Sequence, residues 1–84
     1  MGNEKEKTYP AGQYVAGESL ELGDYLLKAD SDVLGSIEMY EDYDHFVAGE
    51  SFLYENFSGE YRIALRKKGV IVAICDATSG KVLS

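Results

Sequence analysis

The 84-residue chain has no tryptophan, one cysteine, one proline and one histidine. A lone Cys75 cannot form an internal disulfide, so the fold is not a disulfide-stapled miniprotein and must be held by its core. Cys75 ends an apolar run, Val70-Ile71-Val72-Ala73-Ile74-Cys75, and is expected as a small buried hydrophobe rather than a reactive thiol. A lone His45 is a poor basis for a transition-metal site. It is also the sole histidine available to a Ser-His-Asp set, and neither Ser19 nor Ser51 lies on a strand–turn–helix nucleophile elbow. No stretch approaches the roughly 18 apolar residues of a membrane-spanning helix, and no signal-peptide pattern is present. Bases are scarce over residues 9–60, where Lys28 stands alone among twelve acids. That excludes recognition of nucleic acid through its phosphates.

What is present points to a small β domain. Eighty-four residues make one domain, burying about 60–65% of the surface the unfolded chain exposes. Seven tyrosines against three phenylalanines suit half-buried sheet faces, where the ring packs and the hydroxyl stays wet. Residues 61–84 carry a net charge of +4, residues 9–60 carry −11, and the whole chain −7. The imbalance favours solubility and a basic partner. The polar opening 1–8 is expected to be a tail or linker remnant, with residues 9–84 as a single β domain.

The dominant hydrophobic period is two, the signature of strands. Gln13–Ala16, Asp24–Ala29, Ser36–Tyr40, Ser51–Tyr54, Tyr61–Arg66 and Val70–Cys75 each read as a strand, with Val82-Leu83 as a frayed edge. Tyr25, Leu27 and Ala29 share one face. So do Ile37 and Met39, and Tyr61, Ile63 and Leu65. Val70–Cys75 is apolar throughout and is placed centrally, covered on both faces. Glycine and aspartate turn signals between the runs give strands every 10–12 residues. The expected fold is all-β, a small sandwich or distorted barrel of about six short strands. Glu41–Ala48 is the best stretch for a single helical turn, and a loop is the expectation there.

Val-Ala-Gly-Glu-Ser occurs twice, at Val15–Ser19 and Val47–Ser51, each followed by Gly-[Asp/Glu]-Tyr, at Gly23–Tyr25 and Gly59–Tyr61. In each copy a strand is expected to end in Val-Ala, with Gly17 or Gly49 supplying positive φ in the turn. Ser19 and Ser51 should then lie in comparable turns.

The densest polar cluster is Glu41-Asp42-Tyr43-Asp44-His45, flanked by Tyr40 and Phe46. Asp42 and Asp44 resemble the start of a calcium loop. The glycine and the closing glutamate that such a loop needs are missing, so neither metal nor cofactor is expected. Fifteen acids place some carboxylate pairs at glycosidase distances by chance alone, and no enzyme is read from them. Tyr40, Tyr43 and Phe46, with Asp42 and Asp44, are the candidate contact residues, stacking on a peptide or a sugar. The positive stripe Arg62, Arg66, Lys67 and Lys68 is expected to pair across strands with the acids of residues 24–28 or 36–40.

The opening Tyr9–Asp30 resembles a small uncharacterised β domain of Gram-positive bacterial proteins, whose hallmark is Gly-x-Tyr-x-Val-Gly-x-Asp-Ile-Pro-x-Gly-x-Tyr. Gly12, Tyr14, Ala16, Gly17, Leu20, Gly23 and Tyr25 carry the likeness, which extends over about residues 9–78. Leu20-Glu21-Leu22-Gly23 departs from it by lacking the proline-set turn. The resemblance implies an extracellular or cell-surface protein, secreted or held through an upstream anchor. It supplies no catalytic residues. The expectation is a non-enzymatic extracytoplasmic binding or accessory module for a protein or cell-wall polymer. The alternative is a cytoplasmic acidic inhibitor, phage-borne in one version, whose carboxylates mimic nucleic acid.

Overall fold

The structure, a computed structural model, describes residues 8–30 and 32–82. Eight strands form two four-stranded antiparallel sheets with one short helix: β1 (Thr8–Tyr9), β2 (Gly12–Val15), β3 (Gly23–Ala29), β4 (Gly35–Tyr40), α1 (Tyr43–Ala48), β5 (Leu53–Phe57), β6 (Glu60–Leu65), β7 (Ile71–Cys75) and β8 (Ala77–Lys81). The first sheet has the order β1-β8-β3-β6 and the second β2-β7-β4-β5. Every connection passes from one sheet to the other except β4 to β5, and that one carries α1. The sheets pack face to face as a sandwich, the all-β class expected, with eight strands in place of about six.

Alternation puts Tyr25 and Leu27 of β3, Ile63 and Leu65 of β6, Ile37 and Met39 of β4, and Val72 and Ile74 of β7 into one core. Leu20, from the β2–β3 connection, is fully buried among them. The two strands not expected, β1 and β8, hold few large apolar side chains. β1 is two residues long, and its first, Thr8, belongs to the sheet rather than to the tail; the rest of the tail lies outside the described residues. β8 reads Ala-Thr-Ser-Gly-Lys, a run with no apolar period, yet it lies between β1 and β3. The expected edge at Val82-Leu83 is displaced by it. Val82 follows β8 with its N–H on the Asp24 carbonyl, 2.8 Å, and Leu83 lies outside the described residues. The strand expected at Ser51–Tyr54 forms two residues later, because Leu53 and Phe57 face inward and Tyr54 faces out.

β7 is central in its sheet, as expected, but is covered on both faces along only part of its length. Ile71 is buried beside its cross-strand neighbour Tyr40. Cys75, expected to be buried, is exposed: the two-residue period puts it on the outer face, across from Ser36. Ser79 is the opposite case, its hydroxyl buried without a hydrogen-bond partner among the described residues.

The Gly-x-Tyr motifs tether strand starts. The Tyr14 hydroxyl donates to the Pro10 carbonyl and that of Tyr25 to the Glu21 carbonyl, each four residues back and each 2.6 Å. Tyr61 follows the same offset with a ring contact, stacking on Phe57 at 5.4 Å.

The repeated pentapeptide takes two conformations. Val15 ends β2, pinned to Ile71 of β7, and the Ser19 hydroxyl oxygen accepts the Val15 N–H at 2.8 Å. Val47-Ala48 end α1 instead of a strand, so Ser19 and Ser51 do not lie in comparable turns. Only the glycines behave alike, with φ of 84° at Gly17 and 74° at Gly49. Partner strands fix the first copy and helix caps fix the second, so the same five residues obey different neighbours.

Candidate functional site

The Glu41–Ala48 segment folds as a helix because both ends are capped. Asp42 has extended backbone, and its carboxylate accepts the His45 N–H at 2.9 Å. The same oxygen lies 2.7 Å from His45 Nδ1. At the other end Glu50 N–H donates to the His45 carbonyl and Gly49 N–H to that of Phe46, a Schellman closure around left-handed Gly49. The exchange with His45, first through its backbone N–H, lowers the Asp42 pKa. The side-chain bond to Asp42 raises that of His45.

Phe46 anchors the helix by meeting Tyr40 edge-on, with ring centroids 5.1 Å apart. The Tyr40 hydroxyl donates to Glu38 at 3.0 Å, which raises its pKa. Lys67 holds Glu41 at 2.9 Å, joining the start of this segment to the β6–β7 turn. The five expected contact residues therefore divide. Tyr40 is buried and Phe46 is half-buried against it, while Asp42 serves as the cap. Tyr43 and Asp44 stand in solvent, Tyr43 67% exposed. Val47, one helical turn from Tyr43, is 65% exposed. Phe52 and Tyr54 are exposed just beyond. Val47 and Phe52 carried no pattern that separates a contact surface from a core. No residue of α1 is buried.

Among the described residues no group of three His, Cys, Asp or Glu side chains converges as a metal site, and no hydrogen bond joins His45 to Ser19 or Ser51. The positive stripe is only partly neutralised. Arg66 pairs with Asp24 at 2.6 Å, as expected of a cross-strand pair, and Lys67 with Glu41. Arg62 has no ion-pair partner among the described residues.

A depression of about 330 Å³ lies on the outer face of the first sheet, away from α1. Leu26 lies along its floor, with Thr8, Thr78, Lys28 and Arg62 around it. It went unnoticed in the sequence because β8, which supplies its centre, carries no hydrophobic period.

No protein-family model matches this chain, and no curated protein and no solved structure is detectably similar to it.

Proposed function

We propose that the chain is a non-enzymatic binding module that docks a basic protein through α1 and the segment that follows it. The observation that carries this reading is a helix capped at both ends that buries none of its residues, yet presents Tyr43 and Val47 to solvent. A helix usually forms in a small domain because one face packs on the core. Here only Phe46 is spent on anchoring, and the apolar side chains point outward. Glu41, Asp42, Asp44 and Glu50 flank them along the chain, Glu41 paired with Lys67 and Asp42 with His45. An apolar centre with a charged rim is the anatomy of a protein contact, and the sign of this rim selects a cationic partner. The resemblance of Tyr9–Asp30 to Gram-positive surface domains supports an extracytoplasmic setting.

Affinity capture from the extracellular fraction of the source organism tests this, run in parallel with wild type and a Tyr43→Ala, Val47→Ala variant. A basic protein retained by wild type, released by salt and not retained by the variant is the expected result. A partner retained equally by both contradicts the proposal.

A further inference from the structure

We infer that the depression on the outer face of the first sheet is a second binding site, for a phosphate group. It lies on the sheet opposite the one whose strands flank α1 and stands independently of the docking proposal.

The depression arises from a missing side chain. Cross-strand register sets Thr8, Gly80, Leu26 and Arg62 in one row across β1, β8, β3 and β6. Gly80 contributes no side chain to that row, so the layer has a gap between Thr8 and Leu26. The next row begins Thr78, Lys28, which places a second hydroxyl and a second cation beside the gap. Lys28 and Arg62 are diagonal neighbours on one face, a relation that puts their backbones about 7–8 Å apart. Both line the same depression.

Charge makes the placement informative. In a chain of net charge −7, the lining among the described residues includes the cations Lys28 and Arg62 and not one carboxylate, while the side chain of Lys81 alternates to the other face with Tyr25. Lys81 is held by Glu21 at 2.6 Å. The side chains of Lys28 and Arg62 have neither a hydrogen bond nor an ion pair among the described residues. Glu60 faces Lys28 directly across the strands without pairing to it. Two cations unpaired among the described residues, with two hydroxyl donors, match the oxygens of a phosphate, which accepts several charge-assisted hydrogen bonds at once. A carboxylate has fewer oxygens to offer. The volume reaches the lower range of small-ligand pockets.

Amide correlation spectra of the whole chain provide the test, titrated at constant ionic strength with sodium phosphate, sodium acetate and a glycerol-phosphate oligomer. The expected result is saturable shifts at Leu26, Lys28, Arg62, Thr78 and Gly80 with phosphate, in the millimolar range, and weaker effects with acetate. Tighter binding of the oligomer assigns a phosphate polymer as the source, and equal binding assigns a free phosphate. Lys28→Gln and Arg62→Gln should each weaken phosphate binding by about tenfold. Lys68→Gln makes the same charge change outside the depression and should leave it intact. Shifts that never saturate, acetate binding as tightly as phosphate, or equal losses in all three variants would each overturn the assignment.

Discussion

Replacing the glycine of each Val-Ala-Gly-Glu-Ser copy with alanine should give two different losses of stability. Both positions have left-handed backbone, where an L side chain costs about 1–2 kcal/mol. At Gly49 nothing lies within 4 Å of an added Cβ. Since α1 buries no residue, the chain can let the helix end fray instead of holding the strain, which makes that penalty an upper limit. At Gly17 the new Cβ would meet Lys68 Cγ at 2.7 Å and Cβ at 3.3 Å. Those atoms lie at the root of the side chain, so Lys68 must change rotamer, for about 0.5–1.5 kcal/mol more. Fraying is no escape there, because Ala16 and Leu20 on either side are fully buried. Gly17→Ala should therefore destabilise by about 1.5–3.5 kcal/mol and Gly49→Ala by less. A gap of 1 kcal/mol corresponds to about 4–8 °C in a domain of this size. Urea and thermal unfolding, followed by circular dichroism, measure both. Equal losses, or a larger one at Gly49, would refute the packing difference.

Tyr25→Phe removes the buried bond to the Glu21 carbonyl and should cost about 1–2 kcal/mol in urea unfolding. Burial, with the neighbouring Tyr9 and Glu21, pushes the Tyr25 hydroxyl up to about 12. A group whose folded pKa is raised gives stability that is whole below the unfolded pKa, near 10, and lost above it. Alkaline unfolding should thus set in between pH 10 and 12, seen as a late, cooperative rise in tyrosinate absorbance, and Tyr25→Phe should lessen that slope. Ser79→Ala deletes a buried hydroxyl without a partner among the described residues, so the variant should match wild type or gain about 1 kcal/mol; a clear loss of stability would mean the hydroxyl is bonded after all. His45 is raised above 6.5 and Asp42 lowered below 3.8, so their pairing helps α1 between those two ordinary values. It fades as pH rises through the His45 pKa or falls through that of Asp42. Asp42→Asn should return the His45 midpoint, read from imidazole proton shifts, toward 6.5; an unmoved midpoint contradicts the pairing.

The strands that read cleanly in the sequence are those whose burial follows the two-residue period: β3, β4 and β6, with β7 as a continuous apolar run. β8 was invisible because Ala77 and Ser79 fill their inward places with small side chains and Gly80 fills none. The α1 helix is hard to read from the sequence because its apolar residues do not form a core-facing stripe. Its signals were the caps, Asp42 and Gly49, and the second of these was absorbed into the repeat. Identical Val-Ala-Gly-Glu-Ser segments suggested identical turns, but β7 pairing decides the first and the cap geometry the second. At the contact surface the sequence shows the aromatic and acidic cluster but not the role of each side chain. Outward orientation of Tyr40 follows from parity, whereas its burial depends on Phe46 folding back over it, six residues later.

Whether the exposed side chains of α1 carry a contact decides the proposed function. The decisive measurement is the affinity of the captured basic partner for wild type and for Tyr43→Ala, Val47→Ala, with the unfolding temperature of each. Exposed side chains that carry a contact predict a loss of about thirtyfold or more in affinity, together with a stability within about 0.5 kcal/mol of wild type. Unchanged affinity, or a variant that loses binding only because it unfolds, would contradict the account.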